Sequence, residues 1–152
     1  LRLPTICIRP GLPNKAASSF FSGILREPLN GKEAVLPVSD DVRHWHASPR
    51  AAVSFFLHAA TIDLELVGSD CNLTLPGLCA SVKEQIEALE RAAGKDAVSL
   101  IRREPDPFIE KLVYSWPQSF EAGKSKSLGF KAENNFDEII KIYMEDELGA
   151  SA

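Results

Sequence analysis

The loop with the clearest potential for ligand binding follows the first apolar segment of the chain. Residues 5–9 (T-I-C-I-R) predict a buried strand, which gives way to Pro10, Gly11 and Pro13. In open α/β sheets, the loops that leave the carboxyl ends of strands carry the binding groups. The prolines stiffen this loop, and Gly11 permits a ligand to approach the backbone closely. We therefore predict a binding loop here.

Polar side chains follow at the predicted start of the next helix. Apolar residues recur at helical spacing over 16–29, so Asn14, Ser18 and Ser19 lie at the amino end of that helix. Exposed backbone N–H groups and small hydroxyls in this position suit an anion or a polyol. The alternative is that the serines satisfy the unpaired N–H groups of the helix start and bind no ligand.

Three histidines are candidate metal ligands. His44 and His46 are two residues apart in V-R-H-W-H-A, a run with strand-like alternation, so both imidazoles point to one side; His58 is a candidate third ligand. No carboxylate or thiol follows at ligand spacing, and histidines that flank a tryptophan are as readily surface groups or supports of a neighbouring site. We predict no metal site.

Composition bounds the class of protein. The chain has 152 residues, 45% of them hydrophobic, which suffices for one domain with a real core. Its net charge of -4 and its scattered basic residues exclude nucleic acid as a partner, and no apolar run is long enough to span a membrane. We expect a soluble, cytoplasmic protein. Three cysteines without a C-x-x-C pair argue against a disulfide framework.

Short strands alternate with helices along the chain, which predicts an α/β or α+β lobe. Ser48 and Pro49 start a helix whose core-facing residues are predicted as Ala52, Val53, Phe56, Leu57 and Ala60, and the pairs Phe20-Phe21 and Phe55-Phe56 are assigned to the core. The other predicted elements are strands at 34–38, 73–75 and 97–101, a helix from the capping box Ser81–Glu84 to Gly94, a helix from Asp106-Pro107 ending before Pro117, and a last helix capped by Asn135 with Glu138.

Four motifs occur in an order that identifies a known family. They are I-C-I-R-P-G-L-P-N-K-A-A-S-S-F-F-S-G, V-R-H-W-H-A-S-P-R-A-A, S-V-K-E-Q-I-E-A-L and L-G-F-K-A-E-N-N-F-D-E-I-I. Together they resemble the carboxyl-terminal half of an extended short-chain dehydrogenase/reductase, the family of NAD-dependent nucleotide-sugar epimerases and dehydratases. The resemblance implies an α/β fold: the last strand or strands of a Rossmann-like sheet and a small α+β substrate-binding lobe. Residues 1–152 form this portion, without the dinucleotide-binding half.

The resemblance also implies a set of site residues. In that family the proline-glycine turn lies beside the nicotinamide, the following helix start contacts substrate, and an arginine two residues before an aromatic holds the anionic part of the substrate. The cofactor-binding residues are then Pro10, Gly11, Leu12 and Pro13, and the substrate-binding residues are Asn14, Ser18, Ser19, Arg43 and Trp45.

Arg43 has two interpretations. A guanidinium grips a carboxylate with two parallel hydrogen bonds, which suits an anionic substrate. The alternative is that Arg43 pairs with the nearby turn Asp40-Asp41 and stabilises the fold by at most about 1 kcal/mol. Epimerases follow this arginine with a histidine-valine-aspartate run, whereas this chain has Ala47-Ser48-Pro49-Arg50. This departure favours a small hydroxy acid over a nucleotide sugar.

Two features of the family do not occur in this sequence: the glycine-rich phosphate loop and the Tyr-x-x-x-Lys pair. Neither Tyr114 nor Tyr143 is followed by lysine four residues on. The chain starts at Leu1 and its sole methionine is Met144, so we expect it to be the later part of a longer protein. We further expect that it contains no catalytic residue, that it is inactive alone, and that NAD or NADP binds in the intact parent.

Three function classes follow: the substrate lobe of an NAD-dependent hydroxy-acid dehydrogenase, which we favour; the same lobe of a nucleotide-sugar epimerase or dehydratase; and a non-catalytic binding or assembly module. The expected partners are a small hydroxy acid, the missing amino-terminal half and a second copy of the protein. Residues 5–8 are nearly continuously apolar, as in a strand buried in a parallel sheet. Through the unpaired edge of this strand, the isolated chain is expected to dimerise, to retain the missing half as a nicked complex, or to aggregate.

Overall fold

The computed structural model describes residues 1–14 and 16–149. The strands are β1 (Thr5–Ile6), β2 (Ala34–Leu36), β3 (Arg43–Ala47), β4 (Leu78–Ser81) and β5 (Ile101–Arg103). The helices are α1 (Phe20–Leu29), α2 (Pro49–Thr61), α3 (Leu64–Val67), α4 (Val82–Ser99), α5 (Pro107–Tyr114), α6 (Gly123–Ser127) and α7 (Phe136–Glu147), and a 3-10 turn at Ala17–Ser19 precedes α1. The expected α/β fold is confirmed.

Two small sheets form the strand layer. In the first, the order is β1-β3-β4: β1 runs parallel to β3 with Thr5 opposite His46, and β4 runs antiparallel to β3 with Cys79 opposite Trp45. In the second, β2 pairs with β5 in parallel. The candidate residues of the run V-R-H-W-H-A lie on β3, which is the central strand of the first sheet.

Capping residues fix the starts of the helices as predicted. Ser48 accepts a hydrogen bond from the N–H of Ala51, and Asn135 accepts one from Glu138. Ser81 and Glu84 form the reciprocal capping box at the start of α4. Gly94 breaks the regular helical course of α4 with a φ of 80°, as its predicted role as terminator requires, but the chain then resumes helical structure to Ser99.

Several predicted strands are wrong or shifted. The segment predicted as a strand over 97–101 is helical as far as Ser99, and the strand is β5 instead. At 73–75 a single bridge between Arg2 and Thr74 replaces the predicted strand, and β4 was not predicted. Periodicity failed here because β4 is four residues long and its sequence, L-C-A-S, has no clear alternation. Strand β1 is also shorter than predicted, ending at Ile6.

Side chains from α1, α4 and α7 form the larger of two hydrophobic clusters. Phe21, Ile24, Leu89, Ile139 and Ile140 are fully buried in it. Cys7 and Ile8 belong to the same cluster with 0% exposure, so these two residues are covered within the lobe and the exposed apolar residues near the chain start are Leu1 and Leu3.

The smaller cluster lies beneath α2 and corrects the prediction for that helix. Ala51 and Phe55 of α2 pack there against Leu75 and Phe130. Phe55 is 1% exposed, whereas Phe56 is 56% exposed, so the assignment of Phe56 to the core is wrong. The predicted core-facing set at 52, 53, 56, 57 and 60 lies largely on the opposite side of the helix, because a side chain one position along a helix turns by about 100°.

All three cysteines are free. Cys7 is fully buried, and burial raises its pKa to about 12, so its thiol is protonated and chemically inert. Cys71 is exposed and Cys79 is half-buried. Among the described residues, no helix is long and apolar enough to cross a bilayer.

Candidate functional site

The loop after β1 is anchored at its start and projects beyond that point. The N–H of Arg9 donates to Ser22 Oγ over 3.1 Å, and the Arg9 carbonyl accepts a hydrogen bond of 2.9 Å from Arg26. Residues 10–14 are exposed, and Leu12 is 87% exposed. The large apolar side chain of Leu12 is therefore exposed to solvent, although hydrogen bonds at Arg9 fix the start of the loop that carries it.

Gly11, Leu12 and Pro13 lie together at the edge of a cavity of about 460 Å³. Its other walls include Arg26, whose Nε lies 2.9 Å from Glu27 Oε2. This ion pair neutralises the buried guanidinium. A Cβ built on Gly11 meets no atom within 4 Å, so the turn is open rather than enclosed. Of the four predicted cofactor residues, Gly11, Leu12 and Pro13 line this cavity, and Pro10 is exposed beside them.

Asn14 and Ser19 are engaged in local hydrogen bonds. The side-chain oxygen of Asn14 accepts from the N–H of Ala16 over 2.9 Å, and Ser19 Oγ donates to the Asn14 carbonyl over 2.9 Å. These bonds hold the turn that leads into α1. Ser19 is the residue before the first turn of α1, but its side chain accepts no hydrogen bond from a helix N–H group, so the alternative in which the serines satisfy those groups is wrong for Ser19.

A second cavity brings two predicted substrate residues together. This aromatic recess has a volume of about 320 Å³ and opens beside the start of β1. Ser18 and Trp45 both line it. The remaining lining residues are Leu3, Pro4, Thr5, His44, Trp116, Pro117 and Phe120. Three aromatic walls with hydroxyls and an imidazole between them suit a small ligand that has both polar groups and C–H faces.

Trp45 is held rigidly in this wall. The residue is 8% exposed, and its indole N–H donates to the Leu75 carbonyl over 3.3 Å. Gly77 lies directly beneath the ring: a Cβ added there would stand 2.8 Å from Trp45 Nε1 and 2.7 Å from the His46 carbonyl oxygen. The absence of a side chain at Gly77 therefore permits the indole to lie against the β4 entry loop.

The two histidines of β3 face the protein interior. His44 Nε2 lies 2.7 Å from Thr5 Oγ1, and His46 Nε2 lies 3.1 Å from Gln85 Nε2. Burial lowers the pKa of His44. Burial, and repulsion from His44 in its protonated form, lower the pKa of His46 to about 3, so both imidazoles are neutral near pH 7. His58 is remote from the pair and contacts the Leu128 carbonyl. Among the described residues, no group of three His, Cys, Asp or Glu side chains is arranged for a metal ion.

Arg43 lies at the start of β3 with its side chain 41% exposed. It is 3.2 Å from Glu84 and donates to the Cys79 carbonyl over 3.2 Å. Its contact with Cys79 and the charge of Glu84 raise its pKa, so it is cationic. The alternative pairing with the turn at Asp40-Asp41 is wrong, because Asp40 pairs with Arg103 and Asp41 with Tyr114.

Sequence reasoning missed Thr5, Trp116 and Phe120, which line the aromatic recess. Trp116 and Phe120 follow α5, and nothing in their local pattern connects them with β3. The structure therefore distributes the predicted site over three places: the cofactor loop beside one cavity, Ser18 and Trp45 in the aromatic recess, and Arg43 at the exposed start of β3.

Known proteins are similar to this chain in both fold and sequence. A crystal structure of a nucleoside-diphosphate-sugar epimerase from Agrobacterium tumefaciens is 61% identical over 99% of this chain, with a TM-score of 0.97. D-erythronate dehydrogenases from Haemophilus influenzae and Cupriavidus necator are 42% and 44% identical over 97% and 96% of the chain. The chain matches the carboxyl-terminal half of these proteins. No family model matches it.

The chain spans about half the length of these relatives: 44% of the epimerase, and 47% and 45% of the two dehydrogenases. The fold also occurs in a more distant protein, since an L-threonine dehydrogenase from Cupriavidus necator superimposes over 96% of this chain and 46% of its own with a TM-score of 0.81 at 15% identity. The resemblance drawn from the four sequence motifs is thus confirmed.

Proposed function

We propose that this chain is the substrate-binding half of an NAD-dependent dehydrogenase that oxidises a small hydroxy acid. The observation that carries the proposal is the identity of 42–44% with two D-erythronate dehydrogenases across nearly the whole chain. The same proteins support an oxidoreductase of the short-chain dehydrogenase/reductase family as the parent. The dinucleotide-binding half and the catalytic tyrosine and lysine belong, in this proposal, to an amino-terminal half of the parent.

The charge at Arg43 fits a carboxylate substrate. Its ion pair with Glu84 joins two half-exposed side chains, and such pairs contribute at most about 1 kcal/mol. A substrate carboxylate that accepts two parallel hydrogen bonds from the guanidinium therefore competes favourably with Glu84. Trp45 occupies the same side of β3 two residues further on, so one strand presents a cation and an aromatic surface in sequence.

The loop of Pro10, Gly11, Leu12 and Pro13 fits a position beside the nicotinamide. Its root is fixed by the backbone of Arg9, and its exposed Leu12 offers an apolar surface to one face of a ring. Pro10, Gly11, Leu12 and Pro13 would hold the nicotinamide end of NAD, which would supply the acceptor for the hydride from the carbon that bears the substrate hydroxyl. The proton of that hydroxyl would pass to a general base from the amino-terminal half, because this sequence has no Tyr-x-x-x-Lys pair.

A chimaeric enzyme tests the proposal. This chain replaces the matching segment of the Cupriavidus necator D-erythronate dehydrogenase, and Arg43 is changed to alanine or lysine. Arg43→Ala is expected to raise KM for D-erythronate by about 10- to 100-fold, as the loss of a hydrogen-bonded charge pair of about 1.5–3 kcal/mol implies. Arg43→Lys recovers part of the loss because it retains the charge without the planar fork.

Arg50→Ala is the matched control, because Arg50 is a half-exposed arginine committed to Glu145 and Asp146. Its KM should equal that of the unmodified chimaera. Equal KM values for all variants would contradict the assignment of Arg43.

An epimerase acting on a nucleoside-diphosphate sugar is the second candidate, and the 61% identity with the Agrobacterium tumefaciens protein favours it. The two functions differ in their products. The chimaera and a version built on the Agrobacterium protein are incubated with D-erythronate and NAD, or with UDP-sugars. Formation of NADH with the hydroxy acid supports the dehydrogenase, whereas interconversion of sugar epimers without net NADH supports the epimerase.

We also propose that the 152-residue chain alone has no dehydrogenase activity. Its sequence has neither a glycine-rich phosphate loop nor a tyrosine followed four residues on by lysine. Steady-state assays of the purified chain with NAD and D-erythronate should show no NADH above the protein-free rate, and turnover typical of a dehydrogenase would disprove this part of the proposal.

A further inference from the structure

Helix α2 is apolar on two opposite sides. Ala51 and Phe55 face the smaller hydrophobic cluster. Val53, Phe56 and Leu57 are 58%, 56% and 66% exposed. These three residues are spaced three and four positions apart, so they form one stripe, and the helical period places this stripe opposite Ala51 and Phe55. Ala60 continues the stripe and is exposed as well.

Such a helix is typical of an element buried from both sides. Its polar positions, Arg50, Ser54, His58 and Thr61, fall within a narrow sector between the two apolar sides. The helix ends near two further exposed leucines, Leu64 and Leu66, at 72% and 68% exposure. Single exposed apolar residues are ordinary on protein surfaces, whereas a contiguous stripe of them marks an interaction surface.

We infer that the stripe of Val53, Phe56, Leu57 and Ala60 docks against the amino-terminal half of the parent protein. The relatives supply the argument for this occupant: each is more than twice as long as the matched segment, so a comparable mass of polypeptide stands beside this lobe in them. The inference rests on the proposed role of the chain as one half of a larger enzyme. It does not depend on the substrate.

Charge is consistent with an intramolecular apolar contact. The stripe itself contains no ionisable side chain, and the neighbouring Arg50 is already paired with Glu145 and Asp146. A partner that recognised α2 by charge would have to break these pairs. A partner with an apolar face buries the stripe without disturbing them.

Hydroxyl-radical footprinting tests the inference in the same chimaera with the Cupriavidus necator enzyme. Oxidation of Phe56 and Leu57 is compared with that in the 152-residue chain at concentrations where sedimentation shows a monomer. The expected result is at least a fivefold lower oxidation rate in the chimaera. Phe108, which is 73% exposed on α5, serves as the internal control and should be oxidised equally in both proteins.

Equal oxidation of Phe56 and Leu57 in both proteins would overturn the inference, whether or not the chimaera is active. Protection of these residues in the isolated chain, lost on dilution to the monomer and absent from the chimaera, would assign the stripe to a second copy and also overturn it. As a second measurement, Phe56→Asp with Leu57→Asp should lower the binding of an apolar dye to the isolated chain. A chain whose dye binding is unchanged in that variant contradicts the exposed stripe itself.

Because the footprint is independent of turnover, the result separates the two hypotheses. A protected stripe in a chimaera that fails to oxidise D-erythronate supports the docking surface and contradicts the substrate. An active chimaera with an unprotected stripe supports the proposed substrate and contradicts the docking surface.

Discussion

The neutral, buried His46 makes the stability of this lobe depend on pH above the range where carboxylates titrate. Its folded pKa of about 3 lies below the value of 6.5 for an accessible histidine. Between these values the unfolded chain binds one more proton than the folded chain, so the free energy of unfolding falls as the pH falls below 6.5. From pH 6.5 to pH 5, at about 1.4 kcal/mol per pH unit, the loss is about 2 kcal/mol.

Urea unfolding followed by tryptophan fluorescence measures this loss at pH 7, 6 and 5. His46→Leu is expected to flatten the dependence on pH, although it also leaves the Gln85 amide without its partner and lowers stability at every pH. His44 contributes in the same direction because burial lowers its pKa too, so some slope remains. Phe136→Leu is the control: it changes packing beside His46 without removing a titrating group, and should retain the wild-type slope.

A wild-type stability that does not change between pH 7 and pH 5 would refute the argument. So would a slope that is identical in His46→Leu, since the proton would then bind elsewhere.

Three further substitutions test the packing around α2 and the aromatic recess. Phe55→Ala should destabilise the isolated chain by about 3–5 kcal/mol, whereas its neighbour Phe56→Ala should change stability by no more than about 0.5 kcal/mol, and equal effects in chemical denaturation would contradict the assigned faces. Gly77→Ala should destabilise by about 1–3 kcal/mol and shift the fluorescence of Trp45, because the added methyl meets the indole and a backbone carbonyl; an unchanged spectrum with full stability would show that the loop moves freely.

Local signals in the sequence predicted where the capped helices start, but not the short helices α3 and α6 or the buried side of α2. The capping pairs at Ser48, Ser81 and Asn135 each form the expected hydrogen bond, since caps depend on residues within one turn of each other. Strands were harder to predict. β4 and β5 are four and three residues long, too short for a period of two to be recognised, and they exist because partners distant in sequence supply their hydrogen bonds.

The candidate site was predictable in its residue types and only partly in its geometry. The proline-glycine loop and the aromatic after Arg43 are adjacent in sequence to recognisable elements, and the family resemblance connects them. The contribution of Trp116 and Phe120 comes from a segment some seventy residues after Trp45, and no local pattern brings it to β3. The sequence also does not distinguish the roles of two adjacent serines: Ser18 lines the recess, whereas Ser19 closes a turn.

Several side chains on the surface of this lobe do not contribute to its hydrophobic core. Leu12 extends from a loop anchored at Arg9, the Arg43 guanidinium has a weak and half-exposed partner, and the α2 stripe has no cover. None of these side chains belongs to either hydrophobic cluster, so their replacement should leave the fold intact. Substitutions at these positions therefore test function with little effect on stability. Substitutions at Trp45 or His44 affect both, because these residues line the recess and are also buried.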